Sequence, residues 1–236
     1  FKPKFVIPFA SFIYFSNEDN FYLNDAVNRP DHVKKYLKEY ASKLVIMSPN
    51  DILGGTNQSL NEDKALEFWQ KKYNKIKSIK LNQYSKIDIR SLQISFNEYC
   101  ERIKKRNNIF LIKLIRVLSP ISAFKPVVVE ISDLEHNVKF DYVNKVFLQT
   151  YEPAMISMKS ESLNFIFKNS FGFDTLTVNA CFEENKKGAF VQATKTLAIE
   201  NLNNLGIKIE MKTLINFSII KLFLSRLYRV AKKLDV

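Results

Sequence analysis

Four polar side chains in the first quarter of the chain have the types needed for catalysis or metal binding. Glu18, Asn24 and Asp25 follow the first apolar stretch, and Asp51 follows the second. Carboxylates and amides placed where strands end can ligate a metal ion or orient a substrate. The alternative for the first three is an Asx-rich turn that satisfies its own backbone amides. The alternative for Asp51 is the N-cap of the following turn.

Histidine and cysteine are scarce, which excludes the commonest metal and nucleophile sites. The chain has two histidines, His32 and His136, and two cysteines, Cys100 and Cys181. None of them has the spacing of a metal motif or of a Ser–His–Asp triad. We expect both histidines at the surface, and both cysteines to be buried as small apolar side chains.

The charge pattern favours a generally solvated basic surface over nucleic-acid binding. The net charge is +12, from 36 basic and 24 acidic residues. The basic residues are spread along the chain, and none of their tracts lies beside an RNA-binding aromatic motif. The five glycines form neither a GxxxxGK[ST] nor a GxGxxG phosphate loop.

Length and composition are those of an ordinary globular protein. The 236 residues are 46% apolar and 25% charged, enough for one large domain or two small ones. Since no run of 18 apolar residues occurs, we expect no transmembrane helix. The low cysteine count suits a reducing cytoplasm.

Hydrophobic periodicity predicts an α+β protein in three parts. Residues 1–58 have β, loop, helix and strand character, with strand-like runs at 5–12 and 44–47. Residues 59–120 are predicted to be a helical connector. Residues 121–236 are predicted to form a small antiparallel-sheet α+β domain. The predicted helices are 30–42, 60–78, 88–105, 108–118, 160–169, 188–205 and 213–234. The later strands are 127–131, 138–142, 146–150 and 154–158, and 171–179 is predicted to be a turn that leads into a strand.

The C-terminal segment 211–234 has the composition of a basic amphipathic helix. Apolar residues occur on more than one side of it, with lysines and arginines among and after them. Such a helix can lie on an anionic membrane surface. The alternative is that it packs against the sheet or against another part of the protein.

Three segments together resemble one family. They are Val6–Phe15 with the following Glu18 and 20–25, then Ile46–Asp51, and finally Phe171–Asn179. They resemble the second half of bacterial metallo-β-lactamase-fold hydrolases related to the hydroxylase that acts on CMP-linked N-acetylneuraminic acid. In that resemblance Asn50 stands where glycine is usual, and the last segment belongs to a strand of a sterol-carrier-like C-terminal domain.

The resemblance implies the C-terminal part of a metallo-β-lactamase-like αββα fold. Such enzymes hold zinc or iron with a His-x-His-x-Asp-His loop, because imidazole and carboxylate ligands activate a metal-bound water. This chain has no such loop, so we expect no cofactor on this chain alone and no catalysis by it alone. The partner implied is a metal-binding half that precedes Phe1, and the four candidate residues are remnants of its site.

These observations leave two hypotheses of different classes. The first is a metal-dependent hydrolase-like protein acting on sugar nucleotides or polysaccharide precursors. The second is a lipid-binding module of sterol-carrier type within 126–205, with an apolar tunnel lined by phenylalanines, Met155 and Met158. A structural domain that stabilises a partner is a third option. Each is compatible with a cytoplasmic protein, or with one held at the membrane surface through 211–234.

Overall fold

The protein has a mixed α+β architecture with two compact units. The structure, a computed structural model, describes residues 5–9, 12–37, 44–54, 60–118 and 121–214. Phe1–Gln83 form unit 1 and Tyr84–Val236 form unit 2. The division lies inside the predicted connector 59–120, because its first helix belongs to unit 1 and its later helices share the core of unit 2.

Unit 1 is built mainly from helices. A 3₁₀ helix spans Glu18–Asp25, α1 spans Pro30–Leu37, and α2 spans Glu62–Asn74 before a 3₁₀ turn at Ile76–Ser78. Asn61 caps α2, since its Oδ1 accepts a hydrogen bond from the Lys64 N–H at 3.0 Å.

The strand-like runs of unit 1 form no regular strand in the described residues. Val6 and Leu44 are joined by a single parallel bridge, in which the Val45 N–H donates to the Val6 oxygen at 3.0 Å. The prediction of two strands is therefore wrong for these residues. Strands are stable only with several paired neighbours, and the described residues of these two runs are joined to each other by one bridge.

Trp69 connects α2 to the extended segments of unit 1. Its Nε1–H donates to the Met47 oxygen at 2.8 Å, and its ring lies 5.4 Å from that of Phe12. One helical turn later, the Tyr73 hydroxyl donates to the Ile13 oxygen at 3.1 Å. Hence α2 fixes both extended segments through side chains.

In unit 2, two helices precede the sheet. Helix α3 spans Ile89–Arg106 and α4 spans Ile109–Leu118. Asp88 caps α3, because its Oδ1 accepts a hydrogen bond from the Ser91 N–H at 2.9 Å. One side of α3 is an apolar stripe in which Leu92, Phe96, Tyr99, Cys100 and Ile103 are buried.

The sheet of unit 2 has five strands in the order β3-β2-β1-β4-β5. The strands are β1 Val127–Ile131, β2 His136–Asp141, β3 Val146–Thr150, β4 Ile156–Met158 and β5 Glu183–Glu184. Strands β1 and β2 form the predicted antiparallel hairpin, with Val129 opposite Val138. The sheet is mixed rather than antiparallel, because β4 pairs with the free edge of β1 in parallel.

Helices cover the sheet after β4. They are α5 Ser160–Lys168, α6 Gly172–Asn179, α7 Ala189–Leu197, α8 Ile199–Asn204 and α9 Met211–Leu214. Ser160 does not cap α5 with its hydroxyl, which instead donates to Asp133 Oδ2 at 2.6 Å. The predicted helix 188–205 is interrupted at Ala198. Most of the predicted helix 213–234 lies outside the described residues.

The predicted strand 171–179 is wrong, because the chain forms α6 there. Phe173 and Leu176 lie three residues apart and are buried, whereas Val178 is exposed. This burial pattern has the period of a helix. A Cβ atom on Gly172 would lie 2.5 Å from the Phe165 oxygen. Glycine therefore lets α6 begin in direct contact with the backbone of α5.

The core of unit 2 is rich in aromatic rings. The Phe167 ring lies 5.3 Å from those of Phe96 and Phe140, and 5.4 Å from that of Tyr99. Pairs at this spacing add to the stability gained from burial alone. Among the helices that the structure describes, none combines the length and apolar character needed to cross a bilayer.

Candidate functional site

Asn24 is held by the backbone of unit 1. Its Nδ2 donates to the Phe15 and Phe21 oxygens, and its Oδ1 accepts from the Phe15 N–H, all at 2.8 Å. The side chain is buried. These bonds anchor the 3₁₀ helix to the preceding extended segment. They are the kind of backbone bonding that the Asx-turn alternative predicts.

The two carboxylates beside Asn24 are placed differently. Glu18 lies in the first turn of the 3₁₀ helix and Asp25 at its end, and both side chains are exposed. Asp25 lines a cavity of about 300 Å³ together with Asn24, whereas Glu18 does not line it. The structure therefore brings two of the three predicted residues to one cavity.

Cationic and aromatic side chains that the sequence did not indicate also line this cavity. Arg29, Tyr73 and Lys77 line it, and the Arg29 guanidinium carbon lies 5.6 Å from the centre of the Tyr73 ring. Burial raises the pKa of Tyr73, although the charge of Arg29 opposes this. An arginine and a lysine around one cavity can bind an anionic group such as a carboxylate or phosphate.

Asp51 is the last residue of the turn 48–51, and its side chain closes that turn. Its Oδ2 accepts hydrogen bonds from the Ser48 N–H at 2.7 Å and from the Ser48 hydroxyl at 3.0 Å. Asn50 adopts φ 73°, the left-handed conformation that glycine or asparagine tolerates best. The carboxylate thus caps the preceding residues rather than the following turn. Asp51 is not among the residues that line the cavity beside Asn24.

The histidines and cysteines are placed as predicted. His32 in α1 and His136 at the start of β2 are exposed, while Cys100 and Cys181 are buried. Burial raises the pKa of the Cys100 thiol to about 12, which leaves it protonated near neutral pH. Within the described ranges, no group of three or more His, Cys, Asp or Glu side chains is arranged to hold a metal ion.

Two cavities of unit 2 are lined mainly by polar and charged side chains. The larger, about 520 Å³, lies along α3 and includes Glu101, Arg102 and Lys145. The other, about 340 Å³, includes Asn164 and Lys168. Most of the phenylalanines that the tunnel hypothesis places around a ligand, and Met158, are packed in or against the core, where Phe140 lies 5.3 Å from Phe167.

The role of Asn24 can be tested by substitution. We expect Asn24→Ala to lower the free energy of unfolding of unit 1 by about 2 kcal/mol, because it leaves backbone groups near Phe15 without partners. Trp69 is the only tryptophan in the chain, so its fluorescence during urea denaturation reports on unit 1. Asp25→Ala is the matched control and is expected to change stability by about 0.5 kcal/mol or less. Equal losses for both variants would contradict the structural role of Asn24.

No protein-family model, curated protein or solved structure matches this chain. The site is therefore interpreted from its own geometry.

Proposed function

We propose that this chain is the C-terminal portion of a metallo-β-lactamase-fold hydrolase-like protein. Unit 1 contributes the second half of the αββα domain, and unit 2 is a sterol-carrier-like α+β domain. The metal ligands come from another polypeptide segment, which must dock on unit 1 before catalysis. The observation that carries the proposal is a row of exposed apolar side chains in unit 1.

That row belongs to an extended segment with the alternation of a strand. Phe5, Ile7 and Phe9 are exposed, Phe9 to 79%, while Val6 between them pairs with Leu44 in parallel. Parallel strands occur almost only where both faces of their sheet are covered by other elements. The single parallel bridge between Val6 and Leu44, beside exposed apolar side chains, therefore supports a sheet that further strands and helices would complete.

The cavity beside Asn24 supports an anionic substrate. Arg29 and Lys77 supply positive charge, and the Asp25 side chain supplies hydrogen-bond acceptors. A sugar nucleotide has a phosphate that matches the cations and hydroxyls that match these acceptors. The described residues do not fit a metal ion by themselves, so we assign to Asp25 and these cations only the positioning of substrate, and Asn24 holds the backbone that carries Asp25.

The proposal is tested by the segment encoded directly before Phe1. We expect it to contain a His-x-His-x-Asp-His loop, and to bind this chain and zinc or iron when both are co-expressed. Phe9→Asp should weaken the association at least about tenfold, because it places a charge in an apolar contact. Tyr36→Asp, at an exposed position on α1, is the control. Absence of the loop, or association that Phe9→Asp leaves unchanged, would overturn the proposal.

A further inference from the structure

Unit 1 has a second cavity, here called the aromatic cavity, whose walls are mostly aromatic rings. Its volume is about 390 Å³, and it is lined by Phe12, Tyr14, Phe68, Trp69 and Tyr73 among others. This volume lies within the range of small-molecule sites, which are largely apolar with a few polar groups. Among the described residues that line it, none is Asp, Glu, Asn or Gln. Since carboxylate and amide side chains are the main acceptors for ligand hydroxyls, the walls favour a flat apolar ring over a sugar.

The walls of the aromatic cavity are fixed by hydrogen bonds to the backbone. The Trp69 Nε1–H donates to the Met47 oxygen at 2.8 Å, and the Tyr73 hydroxyl donates to the Ile13 oxygen at 3.1 Å. The Phe68 ring meets the Trp69 ring edge to face, with 5.2 Å between the ring centres and 83° between the ring planes. Rings held in this way lose little further freedom when a ligand binds, so the entropic cost of ordering the site is low.

Positive charge lies beside these rings. Lys72 lines the aromatic cavity, and its Nζ lies 5.4 Å from the centre of the Phe68 ring. The neighbouring cavity, which shares Tyr73, adds Arg29 and Lys77. The described lining of the two cavities thus contains three cationic side chains and one carboxylate. An aromatic site with this charge repels a quaternary ammonium group and attracts an anion.

We propose that the aromatic cavity binds the planar ring of an anionic ligand, with the anionic group beside Lys72. Any flat ring can stack on aromatic side chains, so the site selects planarity and charge rather than one ring structure. Nucleoside phosphates and free aromatic carboxylates both have this chemistry. The inference is independent of the hydrolase proposal, because it needs neither a metal ion nor the segment before Phe1.

Four probes in two matched pairs test the site in the full chain. Adenosine 5′-monophosphate is paired with ribose 5-phosphate, and benzoate is paired with cyclohexanecarboxylate, so that each pair differs in the planar ring. We expect at least one aromatic probe to bind about tenfold more tightly than its partner, which is the effect of stacking one ring. Calorimetry gives the four Kd values. Quenching of Trp69, the only tryptophan in the chain, locates the binding.

The pattern of binding also identifies the source of the ligand. Selectivity in the first pair alone indicates a nucleotide, selectivity in the second pair alone indicates an aromatic acid, and either result supports the inference. Equal Kd values within both pairs, or no measurable binding of either aromatic probe, would overturn it. Calorimetric binding that leaves Trp69 emission unchanged would place the ligand elsewhere, and this result would overturn the inference as well.

Substitutions in the lining give an independent measurement. Tyr14→Ala should weaken binding of the preferred aromatic probe about tenfold. Tyr22→Ala is the matched control, because Tyr22 is exposed and is not among the residues that line either cavity. Equal effects of the two variants would contradict a role for the aromatic lining.

The charge requirement is tested separately. Lys72→Gln should weaken binding of the anionic probe about threefold and leave binding of its uncharged analogue, adenosine or benzamide, unchanged. Lys71→Gln is the control, because Lys71 precedes Lys72 on α2 and pairs with Glu67 instead of lining the cavity. The same loss for the charged and the uncharged probe would show that Lys72 does not read the anion.

Discussion

Replacing Asp141 with alanine is expected to destabilise unit 2 by about 3 kcal/mol, the cost of leaving a buried partner charge uncompensated. Asp141 at the end of β2 and Arg116 on α4 form a bidentate pair, with nitrogen–oxygen distances of 2.6 and 2.8 Å. Their side chains are 5% and 16% exposed. The carboxylate also accepts hydrogen bonds from the Val143 N–H and from Asn144 Nδ2. It therefore joins α4, β2 and the following turn.

The measurement is chemical denaturation followed by circular dichroism, with Trp69 fluorescence as the separate signal from unit 1. Lys139→Ala is the matched control on the same strand, because Lys139 pairs with the exposed Glu152 at 2.7 Å. Exposed pairs contribute about 0–1 kcal/mol. If both variants lost the same stability, burial would not be the reason for the effect of Asp141.

The same ion pair makes part of the stability of unit 2 depend on pH. Burial raises the pKa of Asp141, but the hydrogen bonds and charge of Arg116, with the Val143 and Asn144 donors, outweigh it, so the pKa is lower in the folded protein. The contribution is therefore complete above the pKa of the unfolded state and is lost as the pH falls through the folded value. Acid titration should show this loss in the wild type, and Asp141→Ala should lack it.

Elements whose determinants are local in sequence could be predicted well. Helices α2 and α3 begin directly after Asn61 and Asp88, because a side chain in each sequence caps its own helix. Residues 171–179 were predicted incorrectly, since alternating polar and apolar residues over five positions fit a strand as well as one helical face. The contact of Gly172 with α5 favours the helix over the strand, and this contact cannot be seen in the local sequence pattern.

The candidate site depends on contacts between distant positions, so it could be predicted only in part. Asn24 and Asp25 were found because polar residues cluster after an apolar stretch. Tyr73 and Lys77 lie about fifty residues later, and only the packing of unit 1 brings them to the same cavity. For the extended segments around Val6 and Leu44, the sequence instead predicted strands that the described residues do not form. Their sequences favour strands, but a strand needs neighbours that the described residues do not provide.

Removal of the Phe167 ring is expected to have the largest effect on stability. Phe167→Ala should lower the free energy of unfolding of unit 2 by about 3–5 kcal/mol, through lost apolar burial and the cavity left behind. The ring is fully buried and lies within 5.4 Å of the rings of Phe96, Tyr99 and Phe140, so α3, α5 and β2 all lose a contact.

Phe171→Ala is the control for this substitution, because Phe171 is exposed and lies 5.9 Å from one ring, that of Phe165. We expect it to cost about 1 kcal/mol or less. Denaturation of both variants by urea, followed by circular dichroism, compares the same chemical change at a buried and an exposed site. A loss below about 1 kcal/mol for Phe167→Ala would mean that the aromatic cluster relaxes around the gap.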